Sequence, residues 1–66
     1  MKLRTFANVC MDYQYVRVGN CMNGEVLNRG YAKDIREASD YLDCVVTDIR
    51  ESYGAISVSI KLKKGM

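Results

Sequence analysis

Three cysteines, eight carboxylates and ten cations are the groups in this chain that could do chemistry, and there is no histidine among them. Without an imidazole the usual general base is missing, and so are the Ser-His and Cys-His nucleophile pairs. Cys10, Cys21 and Cys44 stand 11 and 23 residues apart, with no C-x-x-C knuckle to seed a zinc site. An odd count at that spacing fits no disulfide framework either. No G-x-x-x-x-G-K-[ST] run is present to cradle a phosphate. The expectation is a protein that is not an enzyme and carries neither cofactor nor metal.

What remains is recognition by cations and aromatic rings. The predicted partner-binding set is Phe6, Tyr13, Tyr15, Arg17, Arg4, Lys61 and Lys63, with Lys2 on the same side. Alternation in the flanking strands turns all of these except Tyr13 away from the apolar parity, onto one open sheet face, with Tyr13 beside it. Tyr, Phe and Arg are enriched at the anchors of protein interfaces. Rings interleaved with cations on a sheet also hold single-stranded nucleic acid. No K/R-G-F/Y-G/A-F-V-x-F/Y motif appears and the net charge is only +2. A protein-binding module is therefore the preferred reading, and a single-stranded nucleic-acid binder the alternative.

The elements that must carry this face follow from periodicity. Ile35, Ala38, Leu42, Val45, Val46 and Ile49 make a stripe about 100° wide at helical spacing, continued by Tyr53. Asp34 is a candidate N-cap with Glu37 three residues on, and Gly54 a candidate stop. The spacing predicts a helix over 35–52. Its outward face would hold Arg36, Glu37, Asp40, Asp43, Asp48, Arg50 and Glu51, with Cys44 exposed among them.

Around that helix the chain reads as strand. Ile56, Val58, Ile60 and Leu62 alternate with Ser57, Ser59, Lys61 and Lys63. Leu3, Thr5, Ala7, Val9 and Met11 share one parity, whereas Val16 and Val18 take the other. A turn or bulge is thus required near Asp12–Gln14. Asn23-Gly24 is a hairpin signal, and a short strand over 25–31 is expected after it. The predicted fold is α+β: a three- or four-stranded, mainly antiparallel sheet with one helix on one face, in the order β-β-(β)-α-β. The expected core is Leu3, Val9, Val16, Val18, Ile35, Ala38, Leu42, Val45, Ile49, Ile56, Val58, Ile60 and Leu62. On that expectation Leu42→Ala costs about 2–5 kcal/mol.

Sixty-six residues make one domain, and a chain of that size buries only about 60% of its unfolded surface. Small cores are usually supplemented by disulfides, a metal or a second subunit. With the first two disfavoured, a homodimer or a complex with another protein is expected. Charge is uneven along the chain, with balances of +3 over 1–33, −4 over 34–53 and +3 over 54–66. The first residues contain no apolar leader and no stretch reaches membrane-spanning length, so the expected location is cytoplasmic, away from the membrane. In size and architecture the β-β-α-β layout resembles small phage-encoded inhibitors of host enzymes, such as those that block uracil-DNA glycosylase or host RNA polymerase. That resemblance implies a phage or mobile-element product whose role is to occupy a host protein.

Overall fold

The computed structural model describes residues 1–38 and 40–63, without the side chain of Ala38. Six elements follow one another: α1 (Leu3–Val9), β1 (Tyr15–Asn20), β2 (Val26–Tyr31), α2 (Ala32–Ala38), β3 (Val45–Ser52) and β4 (Ala55–Lys61). The class is α+β, with a single four-stranded sheet in the order β2-β1-β4-β3. Two antiparallel hairpins, β1–β2 and β3–β4, meet along a parallel pairing of β1 with β4. The sheet is therefore mixed, and two short helices stand where one long one was expected.

The two central strands follow their alternation. Val16, Val18, Val58 and Ile60 are buried on the side facing the helices. Tyr15 and Arg17 alternate with them on the other side, as the period of two requires. The β1–β2 connection turns at Asn23-Gly24, with Gly24 in the left-handed region at φ 75°. Side-chain oxygens close the turn: the Met22 and Glu25 amides donate to Asn20 Oδ1 and Asn23 Oδ1, at 3.0 and 2.9 Å.

Residues 3–9 are helix rather than strand. Leu3, Phe6, Ala7 and Cys10 fall at i, i+3, i+4 and i+7; the first three are buried and Cys10 packs half-buried against them. That spacing puts all four on one helical face. Val9, an expected core residue, is instead on the exposed side. α1 packs on α2, and α2 on β2 and β1.

The helix expected over 35–52 divides in two. α2 starts earlier, at Ala32, and buries Ala32 and Ile35, while residues 45–52 form the edge strand β3. Val45, Val46, Thr47 and Ile49 are β-branched, which favours the pleated conformation. An edge strand wet on both faces has no reason to alternate, and the register shift between Val46 and Asp48 breaks what alternation there is. Helical spacing in this stretch is thus a coincidence of an edge strand. Val45 and Ile49 are exposed, Leu42, Ile56 and Leu62 are half-buried against the core, and Ala38's side chain lies outside what the structure describes. Cys44, expected on the surface, is buried at the mouth of β3. The leading helix and the extra strand give an α-β-β-α-β-β order, which removes the layout on which the likeness to phage inhibitors stood.

The chain start closes the structure beside β3. Lys2 bridges Val45, the Val46 amide donates to the Met1 carbonyl at 2.7 Å, and the Leu3 amide donates to the Cys44 carbonyl at 2.9 Å. Among the described residues no helix is long and apolar enough to cross a membrane.

Candidate interaction surface

β1 opens on Tyr15 and β2 closes on Tyr31, and the hairpin register sets these two residues opposite each other. Partners across a ladder share a face, so both rings lie on the side away from the helices. They meet edge to face, with centroids 6.2 Å apart and planes at 87°. Tyr13 adds a second edge contact on Tyr31 at 5.9 Å and 78°. Lys33 Nζ lies 5.6 Å from the centre of the Tyr13 ring, within cation–π range.

Backbone bonds hold Tyr13 in place. The loop 11–14 is tied to the start of α2 by the Ala32 amide on the Gln14 carbonyl (2.8 Å) and the Lys33 amide on the Asp12 carbonyl (3.1 Å). Gln14 Nε2 donates to the Gly54 carbonyl at 2.9 Å and to the Tyr15 carbonyl at 3.0 Å. The tip of the β3–β4 hairpin is thereby drawn to the same end of the sheet. Tyr53 stands at that tip, fully exposed at 106%. Four of the five tyrosines, from four separate segments, collect at one end of the molecule. Exposed Met11 belongs to the group, and residues Met11–Gln14 line an open depression of about 490 Å³.

Directly behind the rings the register lays out a row of cations. Arg29 pairs with Arg17, Arg17 with Ser57, and Ser57 with Arg50, so one line across all four strands reads Arg29–Arg17–Ser57–Arg50. Arg50 Nε donates to Asp48 Oδ2 at 2.9 Å on the same face. A second depression, of about 260 Å³, lies beside Arg17 over Gly19 and Ser59, where small residues leave the sheet floor low.

No family model, curated protein or solved structure matches the chain.

Of the residues predicted from sequence, Tyr13, Tyr15 and Arg17 come together on this surface. Lys61 shares the open face but at the other end of β4, opposite Val45. Arg4 and Lys63 leave the face altogether and gather round Asp43, at 3.2 and 4.0 Å. The hydrogen bond and charge of Arg4, with Lys63 and Lys2 nearby, hold the Asp43 carboxyl below the usual carboxylate range. Phe6 is a core residue, buried under α1, and does not reach any surface site. The change from strand to helix over 3–9 accounts for it, because helical spacing turns Phe6 inward with Leu3.

Tyr31, Tyr53, Arg29 and Arg50 also lie on this surface but are not in the predicted partner-binding set. Tyr31 had no local signal, because a two-residue turn at Asn23-Gly24 would set Tyr15 opposite Ala32, and the register shift between Val18 and Gly19 brings Tyr31 there instead. Tyr53 and Arg50 had none once residues 35–52 were read as helix. Of the thiols, burial pushes Cys10 up from its ordinary pKa against the opposing pull of Arg36, which leaves little thiolate there. Among the described residues no group of three His, Cys, Asp or Glu side chains is placed to hold a metal ion.

Proposed function

We propose that this protein is a binding module that engages a partner protein through the aromatic end of its sheet. One observation carries the reading. The core closes without Tyr13, Tyr31 or Tyr53, yet Tyr13 and Tyr31 meet edge to face in solvent. Backbone bonds from the 11–14 loop to α2, together with the Gln14 side chain on the Gly54 carbonyl, hold the Tyr53 turn at the same end. Tyrosine offers a large, stiff, amphipathic contact area at little cost in side-chain entropy, and arginine beside it adds planar donors. Tyr53 supports the reading further. It adopts φ 51°, a left-handed conformation that Gly or Asn takes far more easily, so a tyrosine there is held against its own preference.

A second reading has its own observation, the Arg29–Arg17–Ser57–Arg50 row beside Tyr15 and Tyr31. A single strand of nucleic acid laid across the sheet would set phosphates on the arginines and bases on the rings. The two readings differ in their salt response, since phosphate contacts release counterions and lose affinity steeply as salt rises.

Affinity capture from lysate, with and without nuclease, tests both. The expected result is a protein captured after nuclease treatment by the parent and lost with the Tyr13→Ala/Tyr31→Ala double variant, whose circular dichroism should match the parent's. Recovery of nucleic acid alone, or capture that survives the double substitution, would refute the protein-binding reading.

A further inference from the structure

β3 leaves a backbone edge without a neighbour. It is eight residues long and, among the described residues, its only partner strand is β4. The chain start covers its first two residues, through Lys2 at Val45 and Met1 at Val46. From Thr47 to the hairpin turn, no strand among the described residues pairs with the outer side. The opposite sheet edge is better guarded. α2 packs against β2, and the Arg29 amide is taken by Asn28 Oδ1 at 2.9 Å. An unpaired edge of this length is a template for another chain.

We infer that two copies of this protein pair through the outer edges of β3, antiparallel, about a two-fold axis at Ile49. Three constraints select that register. Residues opposite each other across the new ladder must lie on the same face of the sheet, so a shift of one residue would turn apolar positions into polar ones. Register positions two residues apart remain, and an axis at a given residue sets that residue against its own copy. An axis through Asp48 or Arg50, both on the open face, opposes like charges. An axis through Ile49 sets Asp48 against Arg50 of the partner subunit, and Arg50 against Asp48 of the partner subunit. Opposite charges facing each other across a ladder stabilise it, and like charges destabilise it. Because Asp48 and Arg50 already bond to each other within one chain, the four side chains would close an alternating ring.

The third constraint is apolar. Ile49 pairs with buried Val58 and so lies on the helix side of the sheet, yet it is 44% exposed. α2 packs on β2 and β1, and Ile49, at the far edge of the sheet, keeps much of its surface open to solvent. The axis at Ile49 sets the two isoleucines against each other. Met1 opposite Val46 then bounds the ladder to residues 47–51 in each copy. This surface lies apart from the aromatic end, and the inference does not rest on the proposed partner binding.

Charge exchange provides the test, with sedimentation velocity of the full chain at rising concentration as the readout. The parent should dimerise within the submillimolar range. Asp48→Arg and Arg50→Asp should each weaken dimerisation about tenfold or more, because each change creates two like-charged contacts. The double exchange Asp48→Arg/Arg50→Asp should restore the parent's behaviour, and Ile49→Lys should abolish dimers. Each single exchange also breaks the bond between Asp48 and Arg50 within one chain, so the circular dichroism of the single variants should match the parent's, and Ile49→Lys, which leaves that bond intact, tests the interface independently of it. A parent that stays monomeric to submillimolar concentration, or a double exchange no stronger than the singles, would overturn the inference.

Discussion

The Arg36 guanidinium reaches across from α2 to the carboxyl end of α1. Its Nη1 donates to the Ala7 carbonyl at 2.8 Å and to the Cys10 carbonyl at 3.0 Å, and its Nη2 meets the Asp12 carboxylate. The last carbonyls of a helix have no partner within it, and a cation there also meets the negative end of the helix dipole. One side chain thus caps α1, fixes it to α2 and anchors the loop that carries Tyr13. Arg36→Ala should lower stability by about 1.5–3 kcal/mol, the scale for hydrogen bonds to a charged group. Arg36→Lys should recover only part of it, since a point charge cannot serve several acceptors with a planar fork. Urea unfolding of the two variants checks this, and an Arg36→Ala midpoint equal to the parent's would contradict the capping role. From the sequence Arg36 had the position of a solvated charge on a long helix. Residue type and spacing identified Tyr13, Tyr15 and Arg17 as surface groups, but the role of Arg36 depends on where α1 ends, which local pattern does not contain.

At the scale of elements, the legible parts are those with one wet and one dry face. β1 and β4 lie in the middle of the sheet under the helices, so burial imposes alternation on them, and the Asn23-Gly24 turn follows from its own backbone preference. α1 offered two periods at once. The alternation of Leu3, Thr5, Ala7 and Val9 competed with the helical set Leu3, Phe6, Ala7 and Cys10, and packing against α2 decided for the helix. β3 was hidden because its faces are both largely wet. The Tyr53-Gly54 turn joining β3 to β4 has positive φ at both positions, 51° and 79°, as a type I′ hairpin requires. Asparagine tolerates that region better than tyrosine does. Tyr53→Asn should therefore stabilise the fold by about 1 kcal/mol, and the thermal midpoint should rise by about 4–8 °C. The same variant should bind its partner less well. An unchanged or lower midpoint would mean that Tyr53 is not strained.

For the molecule as a whole, stability rests on a core centred on Leu3, Val16, Val18, Ile35, Val58 and Ile60. Ile60 is fully buried between the two hairpins and the helix layer. Ile60→Ala should cost about 2–5 kcal/mol, a large share of the about 5–15 kcal/mol that holds an ordinary domain together. Leu42→Ala should cost less than Ile60→Ala, because Leu42 is only half-buried. Calorimetric scans of the two variants decide the order, and an equal loss would move the centre of the core toward the α2–β3 connection. The α+β class and the strands β1, β2 and β4 were within reach of sequence, whereas the fourth strand was expected before β1 and lies instead at β3, where no dry face marks it. The parallel contact at the centre was out of reach too, because it joins Tyr15 to Ala55 across 40 residues and no local signal marks it. That contact also sets the order of events when the chain folds. Each hairpin closes on local contacts, within about 1–10 μs by the behaviour of isolated hairpins. The seam between β1 and β4 must instead wait for two preformed halves to meet, with α2 carried along between them. Closing a long loop is where the entropic barrier lies. The slow step of folding is therefore the docking of one hairpin on the other, and until it is complete both inner strand edges stand open to solvent.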